Sequence, residues 1–159
     1  FSGGGHPITR PKFVDCIFRD NAAGNSSSNN SSCGEGGAIY SGNANPIFEN
    51  CVFDSNYATS GGAIYLSGNP ESVAYTPTYI RNSKFTDNSA SDGGSNFASA
   101  QGGALTIGSV RHIIISNSSF TNNSATSLNS SARGGAIYIG SDWDPVNVDE
   151  VLIVNTRLS

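Results

Sequence analysis

The sequence predicts an all-β chain wound into a right-handed parallel β-helix of about five coils, one domain spanning residues 1–159. Two motifs, Gly-Gly-Ala and Phe-x-x-Asn, alternate strictly along it. Residues aligned on these motifs fall into columns of one chemical type, as stacking of equivalent coils requires. Composition excludes a helical bundle: 26 Ser, 19 Gly and 18 Asn among 159 residues favour turns and close backbone approach and are poor helix formers.

The first motif stands at Gly36-Gly37-Ala38-Ile39-Tyr40, Gly61-Gly62-Ala63-Ile64-Tyr65, Gly102-Gly103-Ala104-Leu105-Thr106 and Gly134-Gly135-Ala136-Ile137-Tyr138, with a degenerate copy at Gly3-Gly4. The second runs from Phe18 to Asn21, Phe53 to Asn56, Phe85 to Asn88 and Phe120 to Asn123, and Leu158 takes the Phe place of a fifth copy. The shortest repeat is 25 residues. Longer repeats carry insertions rich in Ser, Asn, Ala and Gly between the motif Asn and the next Gly-Gly.

Three positions before each motif Phe stand Asp15, Asn50, Asn82, Asn117 and Asn155. This column predicts corners, where Asn tolerates a left-handed backbone, and an amide ladder from coil to coil. Two before the Phe stand the small residues Cys16, Cys51, Ser83, Ser118 and Thr156, and five before it the apolar Phe13, Phe48, Ile80, Ile115 and Ile153. Phe18, Phe53, Phe85 and Phe120 are expected to stack inside. In the Gly-Gly strand, alternation directs Ile39/Ser41, Ile64/Leu66, Leu105/Ile107 and Ile137/Ile139 inward and leaves Tyr40, Tyr65, Thr106 and Tyr138 as an outer column. A leucine-rich horseshoe is disfavoured because the dense leucine pattern is missing.

A net charge of −4 with only 13% charged residues gives no electrostatic footprint for nucleic acid. No apolar run approaches the roughly 18 residues of a membrane span. The chain contains no Met and begins at Phe1, which reads as a mature or excised piece of a larger protein. Three cysteines and six Asn-x-Ser/Thr sequons, at Asn25, Asn29, Asn30, Asn117, Asn122 and Asn129, point to an extracellular or cell-surface location with N-glycosylation.

The Gly-Gly-Ala-Ile/Leu and Phe-x-x-Asn pair, repeated over nearly the whole chain, resembles the repeats of the chlamydial polymorphic outer membrane proteins. The resemblance implies the pectate-lyase-like right-handed parallel β-helix of their surface-exposed, adhesive autotransporter passenger regions.

Enzymes also use parallel β-helices, so the acidic cluster Asp142, Asp144, Asp149 and Glu150 around Trp143 is the candidate for glycan hydrolysis or for calcium, with Asp142 and Asp144 as ligands. Its place in a linker containing Asp144-Pro145, with no basic residue beside it, favours a turn. His6 and His112 lie far apart in sequence and lack zinc or triad spacing, so structural roles are expected. Cys16 and Cys51 share a column in consecutive coils, within the separation a disulfide accepts. They are expected to pair, leaving Cys33 free or intermolecular; in the alternative, Cys33 bonds one of them.

The expected function is a non-enzymatic structural or adhesive β-helix of a cell-surface protein or head-to-tail filament, without cofactor. Its expected partners are further coils of its own chain, a neighbouring molecule, or glycans. The rivals are a pectate-lyase-like lyase or hydrolase and a carbohydrate-binding module using the Tyr column.

Overall fold

The computed structural model describes residues 9–24, 34–68, 77–94, 98–140, 148 and 150–159. Among the described residues every element is a β-strand or bridge, and every named strand pair is parallel. The chain is a β-solenoid with three main faces. One is a five-stranded sheet of Lys12–Val14, Ile47–Glu49, Thr78–Arg81, His112–Ser116 and Glu150–Val154. A second five-stranded sheet carries the motif Phe residues: Ile17–Arg19, Val52–Asp54, Lys84–Thr86, Ser119–Thr121 and Arg157–Leu158. The third holds the Gly-Gly strands Ile39–Gly42, Ile64–Ser67, Leu105–Ser109 and Ile137–Ile139. Short strands at Tyr57–Ala58, Ser89–Ser91 and Ser124–Thr126, and at Ala100–Gln101 and Ala132–Arg133, close the coil between the second and third faces. The middle coils make about three complete turns; the expected count of five survives only as the rungs of the two larger sheets.

Register follows the sequence columns, Phe18 on Phe53 on Phe85 on Phe120. These rings stack with centroids 4.8, 4.6 and 4.4 Å apart and planes within 7°, close to the spacing of adjacent strands. Phe53, Phe85 and Phe120 are fully buried together with Phe48, Ile64, Ile80, Leu105, Ile107, Ile113 and Ile115, each side chain worth about 1.5 to 3 kcal/mol of burial. The inward assignment of the Gly-Gly strand holds for Ser41, Ile64, Leu66, Leu105 and Ile107, all buried; Ile39 and Ile137 are half-buried, and Ile139, on the outermost strand of its sheet, is exposed against expectation.

Each coil turns at two single-residue corners flanking the Phe strand. The first is the predicted column Asp15, Asn50, Asn82, Asn117 and Asn155; the second is Asp20, Ser55, Asp87 and Asn122, and φ at all nine lies between 48° and 56°. Asn and Asp, with short polar side chains, dominate because they adopt this left-handed conformation most readily. The Gly-Gly pair makes a third corner: its first residue has φ of 66°, 63°, 58° and 64° in Gly36, Gly61, Gly102 and Gly134. The second touches backbone. A Cβ on Gly62 would stand 2.0 Å from the Gly103 carbonyl oxygen and 2.6 Å from that of Ser89.

Two expectations need correction. The fuller amide ladder is built from the motif Asn rather than from the expected corner column, where the ladder bond falls on Asn50. Asn56 Oδ1 accepts from the backbone N–H of Asn21 (3.1 Å) and from Asn21 Nδ2 (2.9 Å), and Asn88 Oδ1 and Asn123 Oδ1 receive the same pair from the coil before. The second hydrogen of each Nδ2 goes to a backbone carbonyl: Asn56 to Phe18, Asn88 to Phe53 and Asn123 to Phe85. Asn56 and Asn88 thus bury an amide whose two donors and twofold acceptor are all used. In the corner column Asn50 Nδ2 donates to Asp15 Oδ1 of the coil before at 3.0 Å; Asn82 and Asn117 are exposed. The other correction is Thr106, expected outside but fully buried, with its hydroxyl donating to the Gln101 carbonyl at 2.8 Å.

Candidate functional site

The small-residue column is a relay of hydrogen bonds. Ser83, Ser118 and Thr156 each donate a hydroxyl to the carbonyl two residues back, at 2.9, 2.9 and 3.0 Å. The Ser83 and Ser118 hydroxyls also accept from the backbone N–H of Cys51 and Ser83, one coil earlier. The cysteines occupy this place as thiols. Cys16 Sγ donates to Val14 O at 3.2 Å, and Cys51 Sγ lies 3.4 Å from Glu49 O and 3.6 Å from Phe13 O. Both are free in this structure, so the expected disulfide is not formed here, although the two do stand in one column, with the Val52 N–H donating to Cys16 O. Cys33 lies outside the described residues.

Burial pushes the Cys51 thiol up from its ordinary value. Since the thiolate is the nucleophile, Cys51 is expected to react with iodoacetamide at pH 8 far more slowly in the native protein than in denaturant. Mass spectrometry of trypsin fragments reads the difference, and repeating it without reductant reports any Cys16–Cys51 bond.

Asn25, Asn29, Asn30, His6, Asp142, Trp143, Asp144 and Asp149 also lie outside the described residues. Of the remaining sequon residues, Asn117 and Asn122 are exposed corner residues, and Asn129 donates Nδ2 to Gly94 O at 2.7 Å. His112 Nδ1 stands 3.7 Å from Glu150 Oε2 on the neighbouring strand. No group of three or more His, Cys, Asp or Glu side chains suited to a metal occurs among the described residues.

The insertions of the third and fourth coils are tied by a carboxylate that the sequence reading passed over. Asp92 is buried and accepts from the Ser127 hydroxyl and from the Gly94 N–H at 2.9 Å. Burial alone would raise its pKa, but these bonds, with those from the backbone of Leu128 and Asn129, outweigh it and hold the carboxyl below its usual value. A carboxylate whose folded pKa is depressed stabilises the protein above its unfolded pKa and loses that contribution as pH falls through the folded one. Asp92→Asn should therefore melt below the wild type at pH 7, and the gap should narrow as pH is lowered through the acidic range. Thermal melts monitored by circular dichroism check this.

On the outside, the face around Glu49 carries a surface charge network, with Lys12 Nζ at 2.8 Å and Arg81 Nη1 at 3.6 Å from its carboxylate, and the Arg81 guanidinium 3.8 Å above the Tyr79 ring centre. Such exposed pairs contribute little to stability. The Gly-Gly face presents aromatic rings instead. Tyr40 is 55% exposed and stacks on Tyr65 with centroids 5.7 Å apart and planes 8° apart. The rings lean over glycine: Cβ atoms placed on Gly42, Gly108 and Gly140 would stand 3.1 Å from Tyr40 Cε1, 3.4 Å from the Tyr65 hydroxyl and 2.6 Å from the Tyr138 hydroxyl. Part of the Tyr column thus covers bare sheet backbone.

These columns, corners and ladders define a parallel β-solenoid in which the repeated residues build the coil itself. Two stretches of it, residues 50–67 and 117–140, match the repeat of the Chlamydia polymorphic membrane protein family. Both matched stretches start at a left-handed Asn corner and run through the Phe strand and the ladder Asn, reaching the Gly-Gly strand. The matched family is described as one of membrane proteins. The comparisons with curated proteins and with solved structures each returned no match. Among the described residues no helix is long and apolar enough to cross a membrane.

Proposed function

We propose that this chain is a non-enzymatic, extracellular structural or adhesive β-solenoid, a building block of a cell-surface protein. The observation that carries the reading is the use made of the repeated side chains. Phe fills the core, the motif Asn links successive coils, Asn and Asp turn the corners, and Gly permits the closest backbone contact, so the repeat is spent on holding a long, stiff surface. A polysaccharide lyase or hydrolase is the rival, resting on Asp142, Trp143 and Asp144. Incubation with polygalacturonate and neutral glycans, followed for new reducing ends or unsaturated uronates, is expected to show no turnover. Turnover that disappears in an Asp142→Ala/Asp144→Ala variant would replace this reading with the enzymatic one.

The proposal extends to assembly. In the last described rung Ile153 is 41% and Leu158 54% exposed, although the residues beneath them, Ile115 and Phe120, are fully buried. We take this face to stack against another coil, of the same chain or of a neighbouring molecule, because unpaired strand edges beside apolar surface recruit further strands. The 159-residue chain is therefore expected to self-associate, and Ile153→Glu to leave it monomeric, as read by light scattering after size-exclusion chromatography. A wild-type monomer at high concentration contradicts the extension.

A further inference from the structure

We propose that the last described rung is covered by the first coil of a second copy of this chain, stacked parallel and in register, so that successive copies continue one solenoid along a common axis. The inference rests on the assembly reading above and deepens it by committing to one occupant and one register. The observed pairing in the two five-stranded sheets, carried one rung further, fixes the contacts. Phe13, Phe48, Ile80, Ile115 and Ile153 form one column and Phe18, Phe53, Phe85, Phe120 and Leu158 another. The next rung therefore sets Phe13 of the second copy on Ile153, and its Phe18 on Leu158.

The two ends match residue by residue. Phe13 and Phe18 are half-buried, whereas Phe48 and Phe53, one coil further in, are fully buried. Phe13 stacks on Phe48 with ring centres 5.2 Å apart and Phe18 on Phe53 at 4.8 Å, so the opposite faces of both rings turn toward the first-coil end. Outside the core, Val14, 41% exposed, falls on Val154, 38% exposed. The corner column brings Asp15 over Asn155, an amide beside a carboxylate, the pairing that Asn50 and Asp15 make at 3.0 Å within one copy. At the head of the same face the register sets Arg10 of one copy beside Glu150 of the other, a match of opposite charges. Lys12 and Ile17 meet Leu152 and Arg157, where the long basic side chains can lay their apolar stems on the aliphatic neighbour.

Such a contact is heterologous, since the surface around Ile153 and Leu158 meets a different surface around Phe13 and Phe18. Because it lies along the solenoid axis and leaves a fresh copy of each surface at either end, it propagates into a filament instead of closing a ring. Each copy adds five rungs to each of the two large sheets, which is about 24 Å of filament at one strand spacing per rung. Every strand joined in this way stays parallel to its neighbour, as all the named pairs within one copy are.

The experiment is disulfide trapping between copies, in a background with Cys16, Cys33 and Cys51 replaced by Ser. Val14→Cys and Val154→Cys are made in separate chains, because the register sets these two positions of adjoining copies one strand spacing apart, within the Cα separation of about 4.4 to 6.8 Å that a disulfide accepts. An equimolar mixture under mild oxidation is expected to give a covalent dimer joining the two introduced cysteines, and either chain alone to give none. A chain carrying both should form a ladder of multimers on a non-reducing gel. Circular dichroism establishes that each variant is folded. With the native cysteines in place, Glu150→Arg is expected to weaken association about fivefold at low salt, and Arg10→Glu added to it to restore association. Self-association, read by light scattering, that cross-links like to like, gives no cross-link in the mixture, or is untouched by Glu150→Arg overturns this register while leaving the assembly reading in place. A chain that stays monomeric at high concentration overturns both.

Discussion

Gly62→Ala is expected to destabilise the protein by more than about 4 kcal/mol, the range reserved for substitutions that break a defining feature of a fold. The added methyl carbon would sit 2.0 Å from the Gly103 carbonyl oxygen and 2.6 Å from that of Ser89. Both obstacles are backbone, so no side-chain rotation relieves the overlap. The whole Gly-Gly strand would have to lift away from the next coil, breaking the bonds from Gly62 N–H to Gly102 O at 3.0 Å and from Ala63 N–H to Ala104 O at 3.0 Å. Gly108→Ala is the control, since its Cβ would meet nothing nearer than 3.4 Å. Urea unfolding of the two variants reads the contrast, and equal stability would show that the coils do not approach as closely as described.

The other large effect is in the Phe column. Phe85→Ala is expected to cost about 3 to 5 kcal/mol of a total near 5 to 15, because Phe85 is fully buried and stacks between Phe53 at 4.6 Å and Phe120 at 4.4 Å. The hole left behind is lined by rings fixed to their own strands, so it closes only in part. Deletion of residues 26–32, in the first insertion, is expected to leave the urea midpoint nearly unchanged. A silent Phe85→Ala together with an unfolding deletion would reverse inside and outside.

The fold was legible because coil stacking converts position into chemistry. When Phe18, Phe53, Phe85 and Phe120 lie one upon another, each must suit the same neighbour, and the column appears in the sequence before any strand is seen. Less legible was which Asn column forms the ladder. Both are rich in Asn, but the corner column admits Asp15, and a corner needs only a short polar side chain that tolerates positive φ. The ladder needs an amide that donates twice and accepts twice, and Asn21, Asn56, Asn88 and Asn123 are Asn without exception. That uniformity was the available signal. Thr106 gave none, since its hydroxyl bonds the Gln101 carbonyl, which lies outside its own strand. The bonds between residues five apart across the Gly-Gly corner, Thr106 to Gln101 and Arg133 to Tyr138, were likewise hidden, because they depend on the sign of a glycine φ. Asp92 passed unnoticed because it sits in an insertion, outside the repeat columns, and apart from the nearby Gly94 N–H its donors come from the corresponding stretch of the next coil.

The central claim is that consecutive coils stack in parallel and in register, so that repeat positions coincide in space. It is tested most directly by disulfide trapping at outward positions of the Phe face, in a background with Cys16, Cys33 and Cys51 replaced by Ser. Thr86 and Thr121 are register partners on adjacent strands, a placement within the Cα separation that a disulfide accepts, about 4.4 to 6.8 Å. The account predicts that Thr86→Cys/Thr121→Cys closes quantitatively under mild oxidation, with the pair linked in the peptide map, while Thr86→Cys/Ser119→Cys, displaced by two residues, closes poorly. Efficient closure of the displaced pair and failure of the register pair would contradict it.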